Sequence, residues 1–323
     1  MPLSQDAFGT ADEITAAFEA AEFNPGILEK LDIFEERGIA TLSSRIEWRD
    51  KQIHLIPAAP RGGVGQPVTR GNRNIIEIAN VHLPVSGSIL ADQVQGIRAF
   101  GRDADEETVE ELRKDVLATM RTSLEATIEY QRCGAVKGIV RDADGTVIVD
   151  LLAEFGVTRI EVEINLSNSA TNIPGIFRAA ERASEGALGA AVPTGWILLT
   201  SPAMVDAIQA HPDFQRRIQF ASPEALFDDH RVAFTIGSTS VVEYRAPNAI
   251  SDTEGYLIPL GIKSLFQTTY APADWIETVN TRGLPVYAKA KLMDFDRGWT
   301  LAGQSNPMSV CTRPASVVRL VRT

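Results

Sequence analysis

Cysteine and histidine are scarce in this sequence, which has two cysteines and four histidines among its 323 residues. Cys133 and Cys311 lie far apart, match no metal-ligand spacing, and suit a reducing cytosol in which both stay free thiols. The histidines form no H-x-x-x-H pair or similar set of metal ligands: His54, His82, His211 and His230. The sequence therefore predicts no metal site and no cofactor.

Long apolar runs are missing as well. No stretch approaches the roughly 20 apolar residues that are needed to span a bilayer. Residues 1–20 are acidic and interrupted, whereas a signal peptide has a basic start followed by an apolar stretch. The sequence therefore predicts neither insertion into a membrane nor export.

Positive charge is in deficit, with 31 lysines and arginines against 42 aspartates and glutamates and a formal net charge of −11. A dedicated nucleic-acid-binding module neutralises phosphates with clustered Lys and Arg, and this sequence has only local basic patches. Any contact with nucleic acid is therefore expected to be loose and independent of base sequence.

Motifs that carry catalysis are also missing. There is no G-x-S-x-G nucleophile elbow, and Asp228–His230, a carboxylate–imidazole cluster, is better explained as an exposed loop. The glycine-rich segment Pro60–Arg73 lacks the Gly-Lys-Ser/Thr of a phosphate loop and does not fit G-x-G-x-x-G. A glycosidase-type carboxylate pair cannot be argued, because 42 acidic residues produce such pairs by chance. We therefore predict no catalytic, cofactor-binding or metal-binding residue, and a protein that is not an enzyme.

What the sequence has is a 44% hydrophobic fraction and enough length for about two domains with well-packed cores. Apolar residues recur at helical spacing from Asp6 to Ala21, before FNPG at residues 23–26 ends the pattern. Apolar and polar residues then alternate over Ser43–Pro57, and a second strand-like run covers Asn74–Leu83. Together these two runs predict a long two-stranded excursion.

A long helix is predicted from Asp103 to Cys133. Asp103 with Glu106 makes a start like a capping box, and Gly134 and Gly138 are expected to end the helix. At 1.5 Å per residue it would be roughly 45 Å long. Its apolar residues step along one face that we expect to be core: Val109, Leu112, Val116, Met120, Leu124 and Ile128.

The following part of the chain mixes strands and helices. Lys137–Val140 and Val147–Leu151 predict a hairpin whose turn is Asp144-Gly145. Beyond Arg159 short strand-like runs are interspersed with helical ones, which predicts a compact α/β unit.

Two segments near the end of the sequence are rich in strand-forming residues and carry fixed turn residues. They are YAPADWIETVNTRGLPVYAKAKL at Tyr270–Leu292 and QSNPMSVCTRPASVVRL at Gln304–Leu320. Together with FNPG at residues 23–26 and PRGG at residues 60–63, they resemble the major capsid protein E family of tailed bacteriophages. The resemblance covers nearly the whole chain and is weakest over residues 154–221.

The resemblance implies an α+β fold, the Hong Kong 97-type major capsid fold. Its parts would be an N-terminal arm (residues 1–40), an extended β-hairpin loop (41–85), a discontinuous peripheral domain (86–153 and 284–323) and an axial α/β domain (154–283). The long helix would be the spine of the peripheral domain. The extended loop would reach over a neighbouring subunit.

The resemblance further implies a major capsid protein that assembles into the pentamers and hexamers of an icosahedral phage shell around double-stranded DNA. It would be a homo-oligomer in the virion, assembled in the cytoplasm of the bacterial host. Its expected partners are further copies of itself, a separate scaffolding protein, a portal at one vertex, the packaged DNA and, where present, a decoration protein. Some capsids of this type join subunits by a Lys–Asn isopeptide bond, but no motif marks such a pair here.

Two other interpretations stay open at this point. One is a cytosolic α/β enzyme of unknown substrate, and the other is an encapsulin-like protein compartment. Shells, tubes or capsomer rings in the electron microscope would favour the phage shell, whereas a small discrete oligomer with turnover would favour the enzyme.

The candidate contact residues are charged. Residues 45–73 contain six cations against two carboxylates, whereas residues 103–115 contain seven carboxylates against two cations. We expect the basic loop of one subunit to face the acidic helix start of another; the alternative is two charge runs that are solvated independently. The residues predicted for this contact are Arg45, Arg49, Lys51, Arg61, Arg70, Arg73, Glu106, Glu107, Glu110 and Glu111.

Overall fold

The structure, a computed structural model, describes residues 11–21, 26–49, 73–94, 109–189, 191–218, 232–246 and 250–323. These residues fall into two compact units. The first takes its described residues from 1–44, 77–132 and 267–309, and the second takes them from 45–76, 133–266 and 310–323.

The helices of the described ranges include one that is much longer than the others. In chain order they are α1 (Ala11–Glu19), α2 (Ile27–Lys30), α3 (Ala91–Val94), α4 (Val109–Lys137), α5 (Leu151–Glu154), α6 (Ile173–Leu188), α7 (Pro202–Ala210) and α8 (Pro212–Ile218).

The strands are short and spread over the whole described chain. They are β1 (Phe34–Gly38), β2 (Ser43–Arg49), β3 (Arg73–Ala79), β4 (Leu83–Leu90), β5 (Ile139–Arg141), β6 (Val147–Asp150), β7 (Glu161–Ile164), β8 (Gly195–Thr200), β9 (Val232–Ile236), β10 (Thr239–Glu243), β11 (Glu254–Leu260), β12 (Phe266–Tyr270), β13 (Tyr287–Leu292), β14 (Gly298–Ser305), β15 (Pro307–Cys311) and β16 (Val318–Arg322).

The first unit is built around an antiparallel sheet in the order β13-β14-β4. One face of this sheet packs against α1 and α4. A Cβ at Gly303 on β14 would lie 2.7 Å from Met120 Cε, so a larger residue there would push that methionine aside. The buried cluster that results comprises Ile14, Phe18, Ile89, Leu117, Met120, Leu124, Val286, Ala288, Trp299 and Leu301.

The apolar stripe predicted for the long helix is largely core. Met120, Leu124 and Ile128 are at most 4% exposed, and Leu112 and Val116 pack at the edge of the same cluster. The side chain of Val109 lies outside the described residues. Burial of this stripe therefore holds α4 on the sheet.

The helix α4 continues to Lys137, one turn beyond the predicted end at Cys133. Gly134 does not end it; a Cβ there would lie 2.9 Å from the Ile139 carbonyl oxygen, so the glycine lets β5 pass close to the helix. Gly138, with φ of 73°, is the residue at which the helix stops. The predicted start at Asp103 and Glu106 lies outside the described residues.

The two alternating runs of the sequence pair with each other as β2 and β3 in a two-stranded sheet. The strands are shorter than the runs, at Ser43–Arg49 and Arg73–Ala79. The connection between them, with Ile53 and Leu55, lies outside the described residues, as does the side chain of Trp48. That this loop reaches over a neighbour stays a prediction.

The second unit contains a mixed sheet in the order β7-β16-β11-β8-β10-β9. Two pairs are parallel, β8 with β10 and β7 with β16. Helices α6 and α7 cover a core that includes Phe177, Leu198, Val205 and Leu257. The α/β unit predicted beyond Arg159 is therefore present, and β5 and β6 form the predicted hairpin.

The two units have other bounds than the predicted domains. Residues 133–153 and 310–323, expected in the peripheral domain, belong to the second unit, and residues 267–283, expected in the axial domain, belong to the first. Which unit corresponds to which capsid domain stays a prediction. The later segment, residues 310–323, belongs to the second unit because it contains β16, which pairs with β7 on one side and with β11 on the other. Strand pairing across such a long sequence separation leaves no local signal, so no pattern within the sequence indicated that β16 pairs with β7 and β11.

Replacing Leu124 by alanine should lower the free energy of unfolding by about 2–5 kcal/mol, because its side chain is 4% exposed inside the α4 cluster. The matched control is Leu42→Ala, whose side chain is 74% exposed and whose loss should change stability by no more than about 0.5 kcal/mol. Urea denaturation of both variants measures the difference. Equal midpoints would show that the stripe does not carry the stability of this unit.

Candidate interaction surface

The charged residues predicted for an intersubunit contact are only partly described. Arg45 is exposed on β2, and Glu111 is half-buried in the first turn of α4. The backbone places Arg49 and Arg73 in the paired strands and Glu110 in α4. Lys51, Arg61, Arg70, Glu106 and Glu107 lie outside the described residues. The pairing between these two charge runs stays a prediction.

The base of the β2–β3 pair is fixed by hydrogen bonds within the first unit. The Asn80 side-chain amide donates to the carbonyl oxygens of Thr269 at 3.0 Å and Asn306 at 2.9 Å. The Asn80 side-chain oxygen accepts from the Ser44 hydroxyl at 2.7 Å. These contacts hold the start of the excursion against β12 and the start of β15.

Two of the segments that carried the family resemblance meet at this base. The Asn306 side-chain amide, in QSNP, donates to the Pro272 carbonyl, in YAP, at 2.8 Å. The Asn306 side-chain oxygen lies 2.8 Å from His82 Nδ1. Polar residues of these segments therefore satisfy buried backbone groups.

A buried arginine connects α4 to β1 and β12. Arg132 is 2% exposed; its guanidinium pairs with Glu36 and lies 3.4 Å from the Thr268 hydroxyl oxygen. The Tyr270 hydroxyl donates to the same Glu36 carboxylate at 3.2 Å. Burial, and then the Glu36 charge, raise the pKa of Tyr270 well above its ordinary value, so its hydroxyl stays protonated.

A second buried ion pair lies two to three turns earlier on α4. Arg121 and Glu125 are 2.7 Å apart, and both are nearly buried. Burial raises the pKa of Glu125, and it outweighs the Arg121 charge, which lowers it. Sequence reasoning missed both pairs because its helical pattern counted apolar residues alone. Charged residues recurring on the buried side of a helix were the available signal.

Large apolar side chains are also exposed, which the sequence pattern did not indicate. Within the first unit, Ile276 is 92% and Val279 is 62% exposed in the loop between β12 and β13. Phe295, in the turn between β13 and β14, is 89% exposed. Apolar residues this exposed mark candidate surfaces for association.

The described residues contain no group of three or more His, Cys, Asp or Glu that could hold a metal ion. His211 is buried, with Nε2 3.0 Å from the Asn168 carbonyl and Nδ1 accepting from the Asp213 N–H at 3.2 Å, which is a structural role. The cluster Asp228–His230 lies outside the described residues. No helix in the described ranges is long and apolar enough to span a membrane.

The sequence matches a known family along nearly its whole length. The family model described as phage major capsid protein E matches residues 10–322. The major capsid protein of Pseudomonas phage KPP10 is 27% identical over 322 residues, with 91% of each chain covered. The resemblance drawn from the sequence motifs is confirmed by this match.

Solved structures share the fold at low identity. A candidate capsid protein of a prophage in E. coli CFT073 superposes with a TM-score of 0.61 at 12% identity, covering 98% of this chain and 99% of the other. The SrpI encapsulin of Synechococcus elongatus PCC 7942 superposes with a TM-score of 0.53 at 11% identity, covering 95% and 94%. At these identities the likeness shows the fold alone, which is the predicted α+β Hong Kong 97-type fold.

Replacing Arg132 by methionine, which keeps much of the buried side-chain length, should lower the free energy of unfolding. We expect a loss of about 3 kcal/mol, the lower end for breaking a buried ion pair, because the Glu36 side chain is 44% exposed and can be rehydrated. Arg245→Met, which removes the exposed pair with Glu243, is the control and should leave stability unchanged. Similar denaturation midpoints for the two variants would contradict the anchoring role of Arg132.

Proposed function

The chain belongs to the phage major capsid protein E family, and from that premise we propose that it builds the icosahedral head of a tailed phage. As a major capsid protein it is a structural component of the virion. In the proposed assembly, copies of the chain form pentamers and hexamers that enclose double-stranded DNA. The observation that carries the proposal is the family match over residues 10–322, which the two-unit fold supports.

The parts of the fold have proposed places in such a shell. We assign the first unit, with the body of α4 and the β13-β14-β4 sheet, to the peripheral domain. The second unit, with the six-stranded sheet, becomes the axial domain, which surrounds the axis of each pentamer or hexamer. The β2–β3 pair is the base of the extended loop, because its strands are fixed to the first unit at Ser44 and Asn80.

A shell role without catalysis is the simplest account of the described side chains. The buried charged groups on α4 pair with each other and with Glu36 on β1, so their charges stabilise the packing of the helix. The fold is shared with an encapsulin, so shape alone does not separate a phage shell from a protein compartment. The family match favours the phage shell.

The proposed partners follow from the same role. They are further copies of the chain, a separate scaffolding protein, a portal at one vertex, the packaged DNA and, where present, a decoration protein. Contact with the DNA would be loose, because a chain of net charge −11 repels phosphates except at local basic patches. We place assembly in the cytoplasm of the bacterial host.

Negative-stain electron microscopy of the purified protein tests the proposal. We expect closed shells, tubes or capsomer rings when the chain is expressed alone or with a scaffolding protein. A small discrete oligomer that turns over a substrate would overturn the shell and favour the α/β enzyme. Shells that load a cargo protein and never package DNA would favour an encapsulin-like compartment.

We further propose that the basic loop and the acidic start of α4 pair between subunits. Each exposed ion pair contributes only about 0–1 kcal/mol. A shell repeats the contact many times, however, and charge complementarity acts on register and association rate even where single pairs are weak. The backbone places Arg45, Arg49 and Arg73 in one two-stranded sheet, which supports the proposal.

Reversing Arg61 and Arg70 to glutamate should reduce particle yield, and most at low salt, where repulsion is least screened. Adding Glu106→Arg with Glu110→Arg should restore part of the yield, because opposite charges then face each other again. The matched control is Arg216→Glu with Arg245→Glu, the same change of charge at exposed sites in the second unit. Light scattering over a salt series measures assembly. Full assembly of the loop variant at low salt, or absence of rescue, would show that the two charge runs are solvated independently.

A further inference from the structure

We propose that the turn between β13 and β14 of one copy docks into a cavity between α1 and α4 of a second copy. The turn residues Asp294–Arg297 are called the hairpin tip. The α1–α4 cavity is lined by residues of the first unit: Ala17, Ala20, Ala21, Arg113, Lys114, Asp115, Leu117 and Ala118. The inference rests on the proposed function only in requiring that copies of the chain meet.

The hairpin tip presents an aromatic ring at the end of a rigid ribbon. The Met293 N–H donates to the Gly298 carbonyl at 2.8 Å, which closes the hairpin, and β14 is supported on its other side by β4. Beyond that closure Phe295 is 89% exposed. The Arg297 guanidinium lies over the ring, 5.5 Å from its centroid. Phe295 therefore fills no core position in its own described chain.

The backbone of the hairpin tip is in a conformation that Phe295 disfavours. Phe295 and Asp296 have φ angles of 62° and 56°. This left-handed region suits glycine, asparagine and aspartate, such as Asp296, and it is rare for a bulky aromatic residue such as Phe295. Strained residues of this kind concentrate at clamps and contact sites, where function retains them. The ring is therefore kept at the tip against the preference of the local backbone.

The α1–α4 cavity has the size and lining to take the ring. Its volume is about 460 Å³, within the range of roughly 300–1,000 Å³ for cavities that enclose a small molecule. A phenyl ring that enters it would leave water and contact apolar groups, the usual core of a protein interface. The apolar lining residues are Ala17, Ala20, Ala21, Leu117 and Ala118.

The charges of the two surfaces are complementary. The tip surrounds its ring with two carboxylates and one guanidinium, and the cavity rim carries two cations and one carboxylate. The tip groups are Asp294, Asp296 and Arg297, and the rim groups are Arg113, Lys114 and Asp115. All three tip groups are exposed, as are two of the rim groups. Such an arrangement fixes the orientation in which the ring enters.

The contact is of the head-to-tail kind, because the tip and the cavity are different surfaces of one chain. Each copy then offers one tip and accepts another. A head-to-tail contact closes into a ring or extends into a lattice, depending on the rotation between copies. It therefore suits a chain that must meet several neighbours at once.

Disulfide trapping tests the contact directly. One set of chains carries Asp294→Cys, which leaves the Phe295 ring in place, and a second, with a larger tag, carries Lys114→Cys at the cavity rim. The two are co-expressed and oxidised. A mixed disulfide forms only when the Cα atoms come within about 7 Å, so we expect a mixed dimer. The native Cys133 and Cys311 are buried, and burial raises the pKa of Cys311 to about 12, so neither reacts in this experiment. The control replaces Asp294→Cys by Val192→Cys, which is 82% exposed in the second unit and should give no mixed dimer.

The outcomes separate this inference from the proposed function. Particles with a mixed dimer support both. Particles without it, or with a disulfide only between two chains that both carry Asp294→Cys, overturn the docking and leave the proposed shell unaffected. A small oligomer with the mixed dimer supports the docking and overturns the shell, and a small oligomer without it overturns both.

A second variant separates docking from folding. Phe295→Asn relieves the left-handed backbone and removes the ring, so its melting temperature should stay equal or rise while particle yield falls at least about fivefold, the loss expected of a central contact residue. Phe295→Tyr keeps an aromatic ring and should retain most of the yield. Filling the cavity with Ala118→Phe should reduce yield like Phe295→Asn. Unchanged yield in both the asparagine and the filled-cavity variants would show that the cavity receives no tip from another copy.

Discussion

The packing of α4 against the β13-β14-β4 sheet is the interaction on which the first unit depends. Its apolar stripe is buried with residues from α1 and all three strands, which come from distant parts of the sequence. The same helix also buries Arg121, Glu125 and Arg132, whose charges are matched inside the unit. Apolar burial supplies most of the free energy, whereas the buried charges restrict the positions that α4 can take, because a shift would leave a charge unpaired.

That rigidity bears on how the surface is presented. The β2–β3 pair is hydrogen-bonded at its base through Asn80, and the β13–β14 hairpin is supported by β4 up to its turn. Exposed groups on the β13–β14 hairpin are therefore held in defined directions by the packed first unit. For a protein whose partners include other copies of itself, rigid presentation lowers the ordering cost of each contact, and that gain repeats at every equivalent position of a shell.

Local patterns in the sequence predicted the features that they can encode. The period of the long helix identified Met120, Leu124 and Ile128 as core, and the Asp144-Gly145 turn identified a hairpin, because both signals lie within a few residues. Gly134 was interpreted as a helix end, because the sequence does not distinguish a glycine that stops a helix from one that lets a strand approach it. The burial of Arg132 and the exposure of Phe295 could not be predicted, because each depends on which distant segments cover it. The charge pairing between subunits stays a prediction for a related reason, since it depends on surfaces of two different copies.

The position of β16 has a consequence for the order in which the chain can fold. It lies between β7 and β11, and residues 165–317 separate it from β7. During synthesis β7 has no partner strand among the described residues until residue 322 leaves the ribosome, and β11 keeps one open edge until then. An open edge is a template for pairing with another chain. Subunits that are translated from the same mRNA are therefore most prone to pair wrongly with one another just before β16 is synthesised. Once β16 has paired with β7 and β11, these strands have their native partners and the subunit can associate in an ordered way.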